Sequence, residues 1–600
     1  MQLISKHLIM NNFRIIVIGI LTLLLTSCEQ KISKTNSLSD TMDGILTRFY
    51  SEFTPEELNN VTPEFILTNI HPEERKAFAS KYWYFDVNVP VIVSVMRHEG
   101  QKMMPFWIEE AGFKKTDLKV TNEEYTYEVW RKEFPAGKVE LGISGFENHR
   151  TPYFVSVGKA DKSDAEELKI TNIFPTSQDQ QPMEKGSHVY TCWTLEVQEF
   201  PEELKGDILL SSYRGRPRES HIIGALRQTE FPSSTKPDQI ALTWSGDTKT
   251  SIDIQWRTST SVKSSFVKYW KEGTTDTTTV ASSVKELYDR SIYNESRVNR
   301  HTVQISGLEP GTSYQYLVEA EGNHSKIKTF STANEDDKFS FIWFGDTHHS
   351  KQWANLLQQA EAKHPEVAFY SIAGDLVDSG LYRDEWDDIF GFTGDVFSRK
   401  PLMPVPGNHD NQDGLGNQLY YDLLSYPTNG PEGIDKECTY SFVYKNALFL
   451  MIDATQELDS ITPWIEEQLK ASNATWKFAM FHFPPYNWEE PYFDIQEKWC
   501  PIFDKYHVDM VMSGHIHYYM RSKPMFNGEV VESFNNGTAY VISTGLPSNH
   551  NEMTDEPYAA VRDTKSQYYQ KIDIDGGRFK FSCVNGEGVE IDSFEINKEI

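Results

Sequence analysis

The pattern of apolar and polar positions changes character several times along the chain. An unbroken apolar run, Ile15 to Leu25, follows the basic residues Lys6 and Arg14. It is short for a membrane span and has the layout of an export signal. From about 41 to 84, short helical signals such as Pro55-Glu56-Glu57 and His71-Pro72-Glu73-Glu74 occur without sustained periodicity. From Val87 the texture is β. Val89 to Met96 is a β-branched run, with similar stretches at Val139 to Ser144 and His188 to Val197, separated by turn signals. Residues 41–235 therefore read as one or two β-rich modules, in which no set of His, Asp or Glu has ligand spacing. Beyond Pro232-Ser233-Ser234 and Pro237, alternation at Ile240 to Trp244, Ser251 to Trp256 and Phe266 to Trp270 predicts a seven-strand sandwich over 236–335. In it Pro310-Gly311 makes a corner, Leu308 points inward and Tyr314 can return its hydroxyl to the backbone upstream. The polar stretch Asn334 to Asp337 leads into a last domain, 336–600.

From Phe339 onward one pattern recurs: a short strand, apolar on both faces, stops at a small turn residue and then a metal-type donor. Phe339 to Phe344 ends in Gly345-Asp346, Val367 to Ala373 in Gly374-Asp375, and Leu402 to Pro406 in Gly407-Asn408-His409-Asp410. Phe478 to Phe481 ends at His482, and Val508 to Met512 in Ser513-Gly514-His515-Ile516-His517. Such runs read as strands buried from both sides. Donors gathered at their carboxyl ends lie where open α/β sheets place ligand sites. A glycine before Asp346, Asp375, Asn408 and His515 suits a sharp exit that brings backbone close to an ion. Gln352 to Ala362, Glu466 to Ser472 and Ile495 to Tyr506 read as intervening helices. Carboxylate, amide oxygen and imidazole suit first-row ions such as Fe, Mn and Zn. Two such ions about 3.5–4 Å apart polarise a phosphoryl oxygen, generate hydroxide near neutral pH and hold attacking and leaving oxygens in line. One Gly-Asp or Gly-Asn-His recurs by chance; five such strand ends in order within one domain do not.

Asp346-Thr347-His348, Gly374 to Asp378, Gly407 to Asp410, His482 and Gly514 to His517 together resemble the motif set of the calcineurin-like metallophosphoesterase superfamily. Gly514 to Ser522 and the closing Lys571-Ile572-Asp573-Ile574-Asp575-Gly576 are similar to the purple acid phosphatases in particular. Leu308 to Tyr316 resembles a fibronectin type III domain. The resemblance covers about 236–600. It implies a multidomain chain: β-rich N-terminal modules including a fibronectin III-like sandwich, then an α/β (α+β) domain whose two-sheet sandwich is flanked by helices. It further implies that Asp346, His348 and His517 hold one metal, that Asn408, His482 and His515 hold a second, and that Asp375 bridges them. His409 would sit over the phosphate, oriented by Asp410, with a metal-bound hydroxide as nucleophile. Two departures stand out. Purple acid phosphatases place a tyrosine ligand where this chain has Asp378, so a colourless protein with ordinary superfamily metals is expected. Where they place histidines near the substrate, this chain has Trp488, Glu489 and Glu490, an aromatic face with negative charge.

Nearby residues are open to more than one reading. His349 reads as supporting or solvent-facing rather than ligating, and Asp378 as a partner for a ligand imidazole or a helix cap. Asp384, Glu385, Asp387 and Asp388 read as a solvated helix face; Arg521 reads as a phosphate contact or a structural ion pair.

A net charge of −29 over 600 residues argues against nucleic-acid binding, which needs Lys and Arg excess. Leu25-Thr26-Ser27-Cys28 resembles a bacterial lipobox, which implies cleavage at Cys28, lipidation there and a membrane-anchored place in the cell envelope. A plain signal peptide with an incidental Cys is the alternative. Residues 29–40 then read as a polar tether. Cys192, Cys438, Cys500 and Cys583 are widely spaced and read as small buried hydrophobes, with a disulfide between two of them left open. The function expected is an exported dinuclear-metal hydrolase of phosphate monoesters. The alternatives are a phosphodiesterase of the same mechanism and a surface-binding lipoprotein with an inactive hydrolase scaffold.

Overall fold

The computed structural model describes residues 37–176, 178–191, 193–412, 414–548 and 554–599. Cys28, the apolar run, Cys192 and residues 29–36 of the expected tether lie outside them. Ser37 and Asp40 cap each other's backbone N–H and start the helix Leu38–Glu52. The last residues read as tether are therefore the helix's first turn. Three shorter helices follow, Pro55–Leu58, Pro63–Asn69 and Pro72–Ser80, each opening on proline, whose missing N–H costs nothing there. This order escaped periodicity because each helix is too brief to repeat its apolar face. The helices share one core with a three-stranded sheet centred on Trp83–Val87 and a six-stranded sheet built around Val91–His98.

The next region is a sandwich of a four-stranded and a five-stranded antiparallel sheet. It exceeds the seven strands expected because Thr278–Ala281 and Asn323–His324 are too short to show alternation. Leu308 is buried, and the Tyr314 hydroxyl accepts from the Glu309 N–H at 3.0 Å, closing the corner as expected.

In the last region a five-stranded sheet, with Lys338–Phe344 beside Tyr370–Ile372 in parallel, faces a seven-stranded one. The larger sheet holds a parallel run of Ala447–Met451, Trp476–Met480, Met510–Ser513 and Ala539–Ile542. Phe341 fills the space between the sheets, its ring within 5.0 to 5.7 Å of Phe369, Phe449 and Phe478. Edge-to-face and offset contacts of this kind stabilise beyond the area they bury. Leu402 to Pro406 follows this sheet only through isolated bridges, Leu402 to Tyr370 and Val405 to Ala373. Pro401, Pro404 and Pro406 have no N–H to give to a ladder. The expected helix Ile495 to Tyr506 is two, Phe493–Lys498 and Cys500–Tyr506, because Pro501 must sit in a first turn. Cys438, Cys500 and Cys583 are buried free thiols.

The sandwich and the last region share a continuous core in which Trp244 meets Phe369 and Tyr444. The acidic run on the helix Arg383–Thr393 belongs to this junction and does not face solvent. Asp387 is 1% exposed and pairs with Arg257 of the sandwich and with Arg383. Asp384 pairs with Arg227, Asp388 faces His349, and Glu385 accepts from the Ser379 N–H. Burial pushes the Glu385 carboxyl up to about 7. The sequence shows four acids in a helix; Arg227 and Arg257, which pair with Asp384 and Asp387, come from distant segments.

Candidate metal centre

All five strand ends converge on one point. Asp346 and His482 are fully buried and Asp375 is 2% exposed, while His348, Asn408, His409, His515 and His517 are half-buried. Donor atoms of Asp346, His348 and His517 lie within 4.8 Å of one another, and so do those of Asp375, His482 and His515. Asp375 also falls within that distance of His348 and His409. It stands between the two groups. Its Oδ2 is 3.1 Å from His482 Nε2 and 3.8 Å from His348 Nε2. His517 Nε2 is 3.0 Å from Asp346 Oδ2, and His515 Nδ1 is 3.2 Å from His482 Nε2.

Glycine is required where these ends meet. A Cβ at Gly374, which sits at φ +94°, would strike the His482 ring, and one at Gly407 would strike Asp375. His348, Asp375 and His515 also occupy the left-handed region, at φ +42°, +50° and +69°. Non-glycine residues hold that conformation only when their surroundings over-determine it, and they cluster at functional sites.

The donors fit cations. His348 Nε2 and Asn408 Oδ1 are buried with no hydrogen-bond partner, where one would otherwise be expected, and His348 Nε2 lies 3.7 Å from Asp346 and 3.8 Å from Asp375. Three of the imidazoles are also set by their other nitrogen, as metal-ligating histidines usually are. His348 Nδ1 meets Asp378, His482 Nδ1 meets the Ala373 carbonyl at 2.8 Å, and His515 Nε2 meets the Tyr492 hydroxyl at 2.8 Å. Burial would lower the basicity of His348, but Asp346, Asp378 and Asp375 push its pKa up to about 11. His482, likewise buried, is raised to about 9 by Asp375 and Asp346. The pocket's carboxylates thus call for positive charge, supplied by protons or by metal.

The expectation that Asp410 orients His409 is corrected. His409 Nδ1 donates to the Asp378 carbonyl at 2.8 Å, which leaves Nε2 as its free nitrogen. Asp410 is buried beneath and accepts N–H groups from Gly407, Leu376 and Val377. It splints the loops carrying Asp375 and Asn408 together. Burial and the neighbouring Asp375 charge push its carboxyl up to about 8. Asp410→Ala orphans three buried amides at about 1–3 kcal/mol each. Urea unfolding is expected to show a loss of about 3 kcal/mol or more, with Asp410→Asn losing less because it keeps an acceptor.

The other residues fall into place around the centre. His349 faces Asp378 and Asp388, so it supports without ligating. Arg521 is held by Asp592 and is a structural ion pair. Trp488 stacks on Tyr518 at 3.8 Å, and Glu490 lies 3.6 Å from His515 Nε2. Tyr492 had no signal in the sequence: it follows His482 by ten positions, across a proline-rich loop with no periodicity.

A two-sheet sandwich that collects this donor set at its strand ends defines a metal-dependent hydrolase of the phosphatase type. Residues 339–519 match the calcineurin-like phosphoesterase family, and residues 237–332 match the purple acid phosphatase N-terminal domain. The chain is 25% identical to a soybean (Glycine max) purple acid phosphatase, over 55% of this chain and 73% of that one. It is 24% identical to the Fe(3+)-Zn(2+) purple acid phosphatase 12 of Arabidopsis thaliana, over 49% of this chain and 67% of that one. The structure of purple acid phosphatase PPD1 from yellow lupin (Lupinus luteus) superposes with a TM-score of 0.54. The match covers 87% of this chain and 92% of that one at 14% identity, a likeness of fold.

Proposed function

We propose that this chain is an exported hydrolase of phosphate monoesters. It holds one cation on Asp346, His348 and His517 and another on Asn408, His482 and His515, with Asp375 between them. The observation that carries this reading is the position of Asp375, whose carboxylate reaches His482 and His515 on one side and His348 on the other. Two cations there would polarise the phosphoryl oxygens and ease deprotonation of water near neutral pH. The chain's own residues do the rest. Asp378 and Tyr492 fix the ring orientations of His348 and His515, and the buried floor of Asp346, Asp375 and His482 fixes the spacing. His409, with Nδ1–H held by a carbonyl, can carry a proton on Nε2 toward the departing alkoxide.

The relatives are named as phosphatases, which favours monoesters over diesters. Export and lipid anchoring rest on the apolar run and Leu25-Thr26-Ser27-Cys28. A bare adhesion scaffold is disfavoured because every expected donor is present. The test compares para-nitrophenyl phosphate with bis-para-nitrophenyl phosphate on the metal-loaded protein. Faster turnover of the monoester is expected. Preference for the diester would make the chain a phosphodiesterase, and turnover of neither would restore the scaffold reading.

A further inference from the structure

Residues 41–235 precede both matched domains, yet one turn of that region reaches the catalytic loop. Gly215 opens the short 3-10 turn Arg216–Glu219. It packs so tightly on Gln412 that a Cβ at position 215 would overlap the Gln412 carbonyl oxygen, with the Leu415 side chain 3.3 Å away. Gln412 is 1% exposed and sits at φ +56°, three residues beyond His409. Its N–H donates to the His409 carbonyl at 3.1 Å, and its Oε1 accepts from the Leu381 N–H at 3.2 Å. The same His409 carbonyl accepts from the Gly380 N–H at 2.9 Å. Gln412 therefore ties the loop bearing Asn408 and His409 to the loop bearing Asp378, whose carbonyl holds His409 Nδ1.

The turn carrying Gly215 has little freedom to yield. Arg216 is fully buried in the N-terminal module, its guanidinium 4.0 Å over the Tyr82 ring and donating to the Tyr82 carbonyl. The Ser220 hydroxyl donates to the Gly145 carbonyl at 2.9 Å. One side of the turn is fixed in that module's core, and the other presses on a loop in a strained conformation that needs outside support to persist.

We propose that Gly215 is a positioning residue and that the N-terminal module serves as a rigid backstop for the 408–412 loop. It sets where Asn408 and His409 stand without touching substrate. The inference rests on the phosphatase reading of the site, since only there does the position of His409 govern turnover. Small displacements of a catalytic group cost rate steeply, on the order of 100-fold for about 1 Å.

The test uses Gly215→Val in the full chain, with Leu415→Ala as a second variant that loosens the same contact without disturbing the module. Steady-state turnover of para-nitrophenyl phosphate is read beside amide hydrogen exchange of residues 407–416. Expected for Gly215→Val are faster exchange in that segment, unchanged exchange in the strand Val91–His98, and a kcat reduced on the order of 100-fold with KM little altered. Leu415→Ala is expected to move both readings the same way by less, and it decides the matter if Gly215→Val does not fold. Unchanged exchange at 407–416, or faster exchange with unaltered kcat, would overturn the proposal. If the phosphatase reading were at fault, the unsubstituted chain would show no turnover while the exchange difference remained.

Discussion

Asp375→Asn is expected to strip metal from at least one position and to abolish hydrolysis at any substrate concentration. Asp375 Oδ2 faces His482 and His348 from between the two donor groups, and Asp375 Oδ1 accepts the His409 N–H at 2.9 Å. Burial alone would raise this carboxyl's pKa, but His482 and His409 hold it well below the ordinary carboxylate range. It is therefore an anion in place to bridge cations. Asparagine keeps the shape and removes the charge. Loss of even an outer-shell partner costs about 10–100-fold in metal affinity, and loss of a shared ligand should cost more. Metal content by mass spectrometry after dialysis, beside turnover, checks this. Full metal content in the substituted protein would mean that Asp375 is not shared.

His409→Ala should separate what Asp375→Asn joins. His409 is absent from both terminal donor groups, and one of its nitrogens is spent on the Asp378 carbonyl. Its removal is expected to leave metal content intact while kcat falls by about two to four orders of magnitude, the usual worth of a positioned proton donor. The accompanying measurement is kcat against a leaving group of low pKa. An ester whose alkoxide needs no proton should lose less. If metal and activity disappear together, His409 is a ligand and its assigned role is wrong.

The donor set was legible in the sequence because its logic is local. Asp346, Asp375, Asn408 and His515 each follow a glycine at the end of an apolar run, His482 ends such a run directly, and a strand end is a place where chain order and spatial order coincide. Of what supports the donors, Asp378 was legible as a partner for a ligand imidazole, and the rest was not. The Asp378 and Ala373 carbonyls carry no side-chain signal, and Tyr492 reaches His515 from a loop without period. Asp410 sits next to His409 in the chain and invited a carboxylate–imidazole pair, but its neighbours in space are three backbone amides. The same limit explains the misread helix Arg383–Thr393. Its four acids are close neighbours in sequence, but Arg257 and Arg227, which pair with Asp387 and Asp384, belong to other regions. At fold level, runs of alternation or of double-sided burial marked the long strands. The three brief helices between 55 and 80 and the proline-bearing segment 402–406 lacked enough regular residues to declare themselves.

Anomalous diffraction from crystals grown with zinc or manganese addresses the central claim most directly. Two scatterers are expected about 3.5–4 Å apart, one among Asp346, His348 and His517 and the other among Asn408, His482 and His515, with the Asp375 carboxylate reaching both. A single peak, or peaks bound by other residues, would contradict it.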